Sequence, residues 1–104
     1  MDYYIFFVTV PNFEEGNKIA HLLIENKLAA CVNIIPNLTS IYWWEGKIEE
    51  NNELLLVIKT TGKNCGPIIQ KIGEIHSYSN PECVAYKIEK GSKKYLDWIK
   101  EVVD

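Results

Sequence analysis

The chain has 104 residues, of which 47% are hydrophobic and 24% charged, and this size and composition predict a single globular domain, residues 1–104. All eleven cations are lysines and the net charge is −3, which argues against nucleic-acid partners and against sites built on a bidentate arginine clamp. No apolar run is long enough to cross a bilayer and no secretory signal is recognisable, so we expect a cytoplasmic protein with no membrane partner.

The periodicity of apolar residues predicts an alternation of strands and helices. Asn12 followed by Glu15 has the spacing of a helix N-cap with a reciprocal glutamate at the third position. The polar stretch 49–53 is predicted to be the turn of a long hairpin. In chain order, the predicted elements are a strand at 3–10, a helix at about 12–27, a strand at 30–35 that resumes at 38–47, a strand at 54–60, a helix at 68–75, a strand at 82–88 and a helix at 92–103.

The order β-α-β-β-α-β predicts an α+β fold, a ferredoxin-like sandwich with an antiparallel sheet and an extra C-terminal helix. The strands carry apolar residues at odd and even positions alike: Tyr42, Trp44 and Ile48 are expected on one face, and Ile41 and Trp43 on the other. Two helices cover only one face of such a sheet. We therefore expect a second copy of the chain to cover the other face, the alternative being that the last helix covers it alone.

Enzyme motifs are absent from the sequence, so we predict that the chain is not an enzyme. The cysteines Cys31, Cys65 and Cys83 are odd in number and lack C-x-x-C spacing, which indicates reduced thiols rather than disulfides or a zinc ribbon. Cys31 lies within a predicted strand, where a thiol is either a small buried hydrophobe or a soft metal ligand.

The turn at 76–81 and the residue after it combine an imidazole, a phenol and a carboxylate in His76, Tyr78 and Glu82. Imidazole and carboxylate suit copper or zinc. The alternative is an ordinary loop in which His76 caps the preceding helix. Lys59 follows five apolar residues, so its ammonium either emerges at a strand end or projects into a pocket.

Three stretches together resemble the CutA family of divalent-cation tolerance proteins. They are LAACVNIIP at 28–36, SIYWWEGKIEE with LLLVIKT at 40–60, and H-x-Y-x-x-PE at 76–82 followed by YLDWI at 95–99. The resemblance implies a trimer similar to PII signalling proteins, in which strands of one subunit extend the sheets of its neighbours. It also implies a role in tolerance to copper and other divalent cations, with a weakly bound ion in the clefts between subunits.

By this resemblance the candidate metal ligands are Cys31, His76 and Glu82. The candidate cleft residues beside them are Trp44, Glu45, Lys59 and Tyr78. The sequence departs from the family pattern at two places. Relatives often carry a cysteine just before Pro11, where this chain has Val10, and the turn has serines where relatives have a proline and a second carboxylate.

Three other functions compete with metal binding. A PII-like signalling module would bind a small anionic ligand in the same clefts through Lys59 and backbone N–H groups. A hydrolase of the acylphosphatase type would need an arginine, which the chain lacks. RNA binding through the sheet would need basic rims around exposed aromatics, which the acidic balance opposes.

Overall fold

The computed structural model describes residues 2–104 and has a four-stranded sheet and three α-helices within that range. The elements are β1 (Tyr3–Val10), α1 (Phe13–Glu25), β2 (Cys31–Trp44), β3 (Lys47–Thr61), a short 3-10 turn (Gly62–Asn64), α2 (Cys65–Ile75), β4 (Cys83–Lys87) and α3 (Lys93–Val103). No helix in this range is long and apolar enough to cross a membrane.

The sheet has the strand order β2-β3-β1-β4, and each pair of neighbours is antiparallel. Helix α1 connects β1 to β2, and β3 lies between these two strands. Helix α2 connects β3 to β4, and β1 lies between those two strands. This is the split βαβ arrangement. The predicted ferredoxin-like α+β fold with an added C-terminal helix is therefore confirmed.

One face of the sheet forms the core with α1 and α2. Phe6, Val8, Leu56 and Ile58 on this face are fully buried. They belong to one cluster with apolar residues of the helices, such as Ile19, Leu23, Ile68 and Ile72. At ~25 cal/mol per Å², burial of each of these side chains contributes roughly 1.5–3 kcal/mol.

The opposite face, called the second face here, carries apolar side chains that the chain itself covers only in part. Register places Ile5, Phe7, Leu55 and Val57 on it, and none of these is fully buried. The apolar side chains Ile35, Val84 and Tyr86 on the same face are exposed. α3 packs against β3 with Ile99 and Val103 buried, so the last helix covers one end of this face and leaves the rest open.

The hairpin turn lies at Glu45 and Gly46, so the prediction that residues 49–53 form the turn was wrong. Both turn residues have positive φ, 50° and 79°, as a two-residue hairpin loop requires. This turn pairs Trp43 with Ile48, which places Ile48 on the face of Ile41 and not with Tyr42 as predicted. The polar residues 49–53 are strand residues because the hairpin extends beyond the rest of the sheet.

A β-bulge interrupts the pairing of β2 with β3 where the sequence predicted a break in the strand. Ile35 pairs with Leu55 and Leu38 with Glu53, so Pro36 and Asn37 lie opposite a single residue. β2 is an edge strand, where a proline costs no ladder hydrogen bond. Asn37 has φ of 64°, a conformation that asparagine tolerates better than most residues.

Candidate functional site

An open groove of about 770 Å³ lies beside the outer part of the hairpin. Its lining comes from the end of β1, from the hairpin and from the turn that follows α2. The lining residues are Thr9, Pro11, Ser40, Ile41, Tyr42, Trp43, Trp44, Asn51, Asn52, Glu53, Tyr78, Ser79, Asn80, Pro81 and Glu82. Of the predicted site residues, Trp44, Tyr78 and Glu82 line this groove.

His76 is buried beneath the groove, and both of its ring nitrogens are engaged. Its backbone N–H donates to Ile72 and ends α2, so the alternative that it caps this helix is confirmed. Nε2 lies 2.8 Å from the Thr9 carbonyl oxygen and Nδ1 lies 3.1 Å from the Tyr78 backbone nitrogen. A carbonyl only accepts and an amide N–H only donates, so the proton is on Nε2 and neither nitrogen is free for a metal in the single chain.

Glu15 connects α1 to the same turn. The Asn12 side chain accepts from the Glu15 N–H at 2.8 Å, which confirms the predicted N-cap. The carboxylate does not return to Asn12 but accepts from the Ser77 N–H at 3.0 Å and lies 3.4 Å from His76 Nδ1. Burial acts to raise the pKa of Glu15, but the hydrogen bonds from Ser77 and the nearby His76 and Lys18 lower it on balance.

Tyr78 joins the turn to the hairpin through a hydrogen bond. Its hydroxyl donates to the Glu53 carboxylate at 2.8 Å, and its ring lies 4.7 Å from the ring of His76. Burial, followed by the hydrogen bond to Glu53, raises the pKa of Tyr78 well above its ordinary value. The phenol therefore remains a donor at physiological pH, and Glu53 is held as its acceptor.

Cys31 and Lys59 form a second cluster on the second face, away from the groove. They are direct partners in the β2–β3 register, and Lys59 Nζ lies 3.8 Å from Cys31 Sγ. Lys59 also donates to the side-chain oxygen of Asn33. Burial, followed by the neighbouring Cys31 thiol, raises the pKa of Tyr95.

The three predicted metal ligands do not meet within one chain. Cys31 lies beside Lys59, whose β1 partner is Ile5, four residues and roughly 13 Å along the strand from Thr9, the partner of His76. No group of three His, Cys, Asp or Glu side chains within residues 2–104 is arranged to hold a metal ion. A metal site shared between subunits stays a prediction.

Two of the predicted cleft residues, Glu45 and Lys59, lie outside the groove. Glu45 is in the exposed hairpin turn and does not line the groove, and Lys59 lies in the Cys31 cluster. The sequence analysis missed Glu53, because it was assigned to a turn. An Asn-Gly, Asp-Gly or Gly-Gly dipeptide would have indicated a turn at residues 45–46, but only Gly46 fits that pattern here.

The sequence matches the family described as CutA1 divalent ion tolerance protein over residues 4–102. The divalent-cation tolerance protein CutA of Thermus thermophilus is 47% identical over 94 residues, 90% of this chain and 91% of that protein. The chloroplastic protein CutA of Arabidopsis thaliana is 46% identical over 92% of this chain, which spans only about half (53%) of that protein's length.

Solved structures of relatives have the same fold. The CutA1 structure from Oryza sativa has a TM-score of 0.96 and 41% identity, covering 100% of this chain and 95% of that one. The structure of a protein described as a periplasmic divalent cation tolerance protein CutA from Archaeoglobus fulgidus has a TM-score of 0.95 and 42% identity, covering 98% and 99%.

These relatives overturn the predicted cytoplasmic location. One similar protein is described as periplasmic and another as chloroplastic, so the same domain occurs in several compartments. A mildly acidic composition without a long apolar run does not distinguish these compartments, which is why it did not determine the location. The extent of the family match and the agreement of fold show that the chain belongs to the CutA1 divalent ion tolerance family.

Proposed function

We propose that the chain acts in divalent-cation tolerance as a non-enzymatic homotrimer that weakly binds copper or another divalent cation at clefts between its subunits. The observation that carries the assembly is the partly uncovered second face, where the apolar side chains Ile35, Val84 and Tyr86 are exposed. Monomeric proteins seldom leave so continuous an apolar surface in contact with water. Identical subunits arranged in a closed ring cover such a surface on every copy.

The donor chemistry supports a shared cation site. Cys31 offers a soft thiol on the second face, and Glu82 offers an exposed carboxylate in the groove. Because the two lie apart within one chain, the proposal requires that different subunits supply them. His76 contributes a nitrogen only if it releases Thr9 or Tyr78, which is a reason to expect weak binding.

Light scattering coupled to size-exclusion chromatography tests the assembly. We expect a mass of about 36 kDa, three times the 12.0 kDa of one chain. A stable 12 kDa species at micromolar concentration would contradict the trimer.

Titration with copper by calorimetry tests the ligands. Binding is expected for the native protein and for the control Cys65→Ser, and weaker binding for Cys31→Ser combined with His76→Ala. An isotherm unchanged in the double variant would reject these residues as ligands.

A second candidate function rests on Lys59. Its ammonium contacts a thiol and an amide, and it is in none of the ion pairs found among residues 2–104. A small anionic ligand in a PII-like role would supply the missing negative charge. Thermal stabilisation by carboxylates or nucleotides, and not by metal ions, would favour this function over the first.

A further inference from the structure

Glu53 is a buried carboxylate without a cationic partner. Only 6% of the residue is exposed, and the one hydrogen bond that its carboxylate makes within the described residues is from the neutral Tyr78 hydroxyl. No ion pair found among residues 2–104 includes it. Burial of a carboxylate is costly unless it is paired, and among the described residues only the Tyr78 hydroxyl pairs with this one.

The surroundings of Glu53 are suited to an organic cation. Antiparallel partners share a face, so the register places Glu53, Asn51 and Tyr42 on the same side of the hairpin. Asn51 donates to the Tyr42 hydroxyl, which fixes that ring beside the groove, and Tyr78, which donates to the carboxylate, also lines the groove. Aromatic rings next to a carboxylate favour a cation that is partly desolvated.

The lining of the groove contains no lysine or histidine. The groove is also large enough, at about 770 Å³, for a small organic molecule or a long side chain. A metal ion is less suited to this position, because Glu53 belongs to no group of three His, Cys, Asp or Glu side chains that could hold one among the described residues.

We propose that the groove binds an ammonium group, which pairs with Glu53 between the rings of Tyr42 and Tyr78. The candidate metal ligand Glu82 lines the same groove, but the ammonium site is centred on Glu53 and does not require a bound metal ion. The ammonium group has two sources, a free organic amine or a lysine side chain from a neighbouring copy of the chain. A guanidinium from another copy is excluded, because the chain has no arginine.

Titration with n-butylammonium tests the first source, with n-butanol as the neutral isostere and EDTA present so that metal binding cannot contribute. We expect native protein to bind the amine and not the alcohol, and Glu53→Gln to bind it roughly 10- to 100-fold more weakly, since a charge-assisted hydrogen bond is lost. Glu50→Gln is the matched control, because Glu50 is exposed and pairs with Ile41 on the opposite face of the hairpin.

Sizing of the same variants tests the second source. If a neighbouring lysine occupies the groove, no variant binds butylammonium, and Glu53→Gln dissociates at concentrations where native protein and Glu50→Gln remain assembled. Tyr42→Leu provides an independent check should Glu53→Gln fold poorly, since loss of the ring weakens either interaction. The proposal is overturned if Glu53→Gln and Tyr42→Leu match the native protein in both measurements, or if native protein binds both butylammonium and butanol with equal affinity.

Discussion

The two faces of the sheet are similarly apolar in sequence and differ in what covers them. Leu56 and Ile58 are fully buried under α1 and α2, whereas Leu55 and Val57, their neighbours in the same strand, lie on a face that α3 covers only at one end. Hydrophobicity along β3 therefore shows how much surface must be buried. It does not show whether the chain or a neighbour buries it.

The largest expected effect comes from placing a charge on the second face. Ile35→Lys should leave the chain folded, since Ile35 is exposed in the single chain, but should reduce the assembly from about 36 kDa toward 12.0 kDa. Phe13→Lys is the control, because Phe13 is at least as exposed but lies on α1. Light scattering measures both variants, and equal masses would remove the distinction between the faces.

The core face should respond to a cavity. Leu56→Ala is expected to lower the free energy of unfolding by about 3 kcal/mol, because a fully buried leucine loses its contacts and leaves a void. Leu55→Ala should cost less in intrinsic stability and instead shift assembly to higher protein concentration. Urea unfolding at several protein concentrations separates the two effects. Identical concentration dependence in the two variants would contradict this assignment.

The hydrogen bond between Tyr78 and Glu53 is a partly buried polar interaction on the second face. Tyr78→Phe leaves the carboxylate without its donor and should lower the free energy of unfolding by about 2 kcal/mol. The Tyr42 hydroxyl accepts a hydrogen bond from the exposed Asn51. Tyr42→Phe should therefore lower the free energy of unfolding by less than about 0.5 kcal/mol. If thermal unfolding showed comparable losses of stability in the two variants, the burial of Glu53 would not determine the cost of removing its donor.

Glu15 ties the core-face helix to the turn beside the groove, and its contribution depends on pH. Because its pKa is lowered by folding, its stabilisation is present above the ordinary value of 4.5 and is lost as pH falls through the lowered pKa. Glu15→Gln should therefore be about 1 kcal/mol less stable than native protein at pH 7, with the difference vanishing in acid. A difference that is constant with pH would contradict this.

The smallest effect is expected at the hairpin turn, where neither face is covered. Glu45 has a positive φ that asparagine adopts more readily. Glu45→Asn should raise the free energy of unfolding by about 0.5 kcal/mol, measurable as a higher urea midpoint at unchanged slope. Lys47→Asn, one residue outside the turn, should give no such gain.

The sequence predicted the element order and the sheet because strands with apolar runs and capped helices leave strong local patterns. The hairpin turn was misplaced because Glu45 is an atypical residue at positive φ, and that error moved Ile48 to the wrong face and concealed Glu53. The contact between Cys31 and Lys59 depends on register, which two residues 28 positions apart do not reveal. Engagement of both His76 nitrogens depends on tertiary neighbours such as Thr9, which no local pattern indicates.

The bulge at Pro36 and Asn37 determines which side chains the groove receives. Side chains alternate between faces along a strand, so one extra residue exchanges the two sets beyond it. Cys31, Asn33 and Ile35 therefore share a face before the bulge, and Leu38, Ser40 and Tyr42 lie on that same face after it. A single backbone irregularity thus separates an inner sheet, in which odd-numbered residues of β2 lie on the second face, from an outer arm, in which even-numbered residues do.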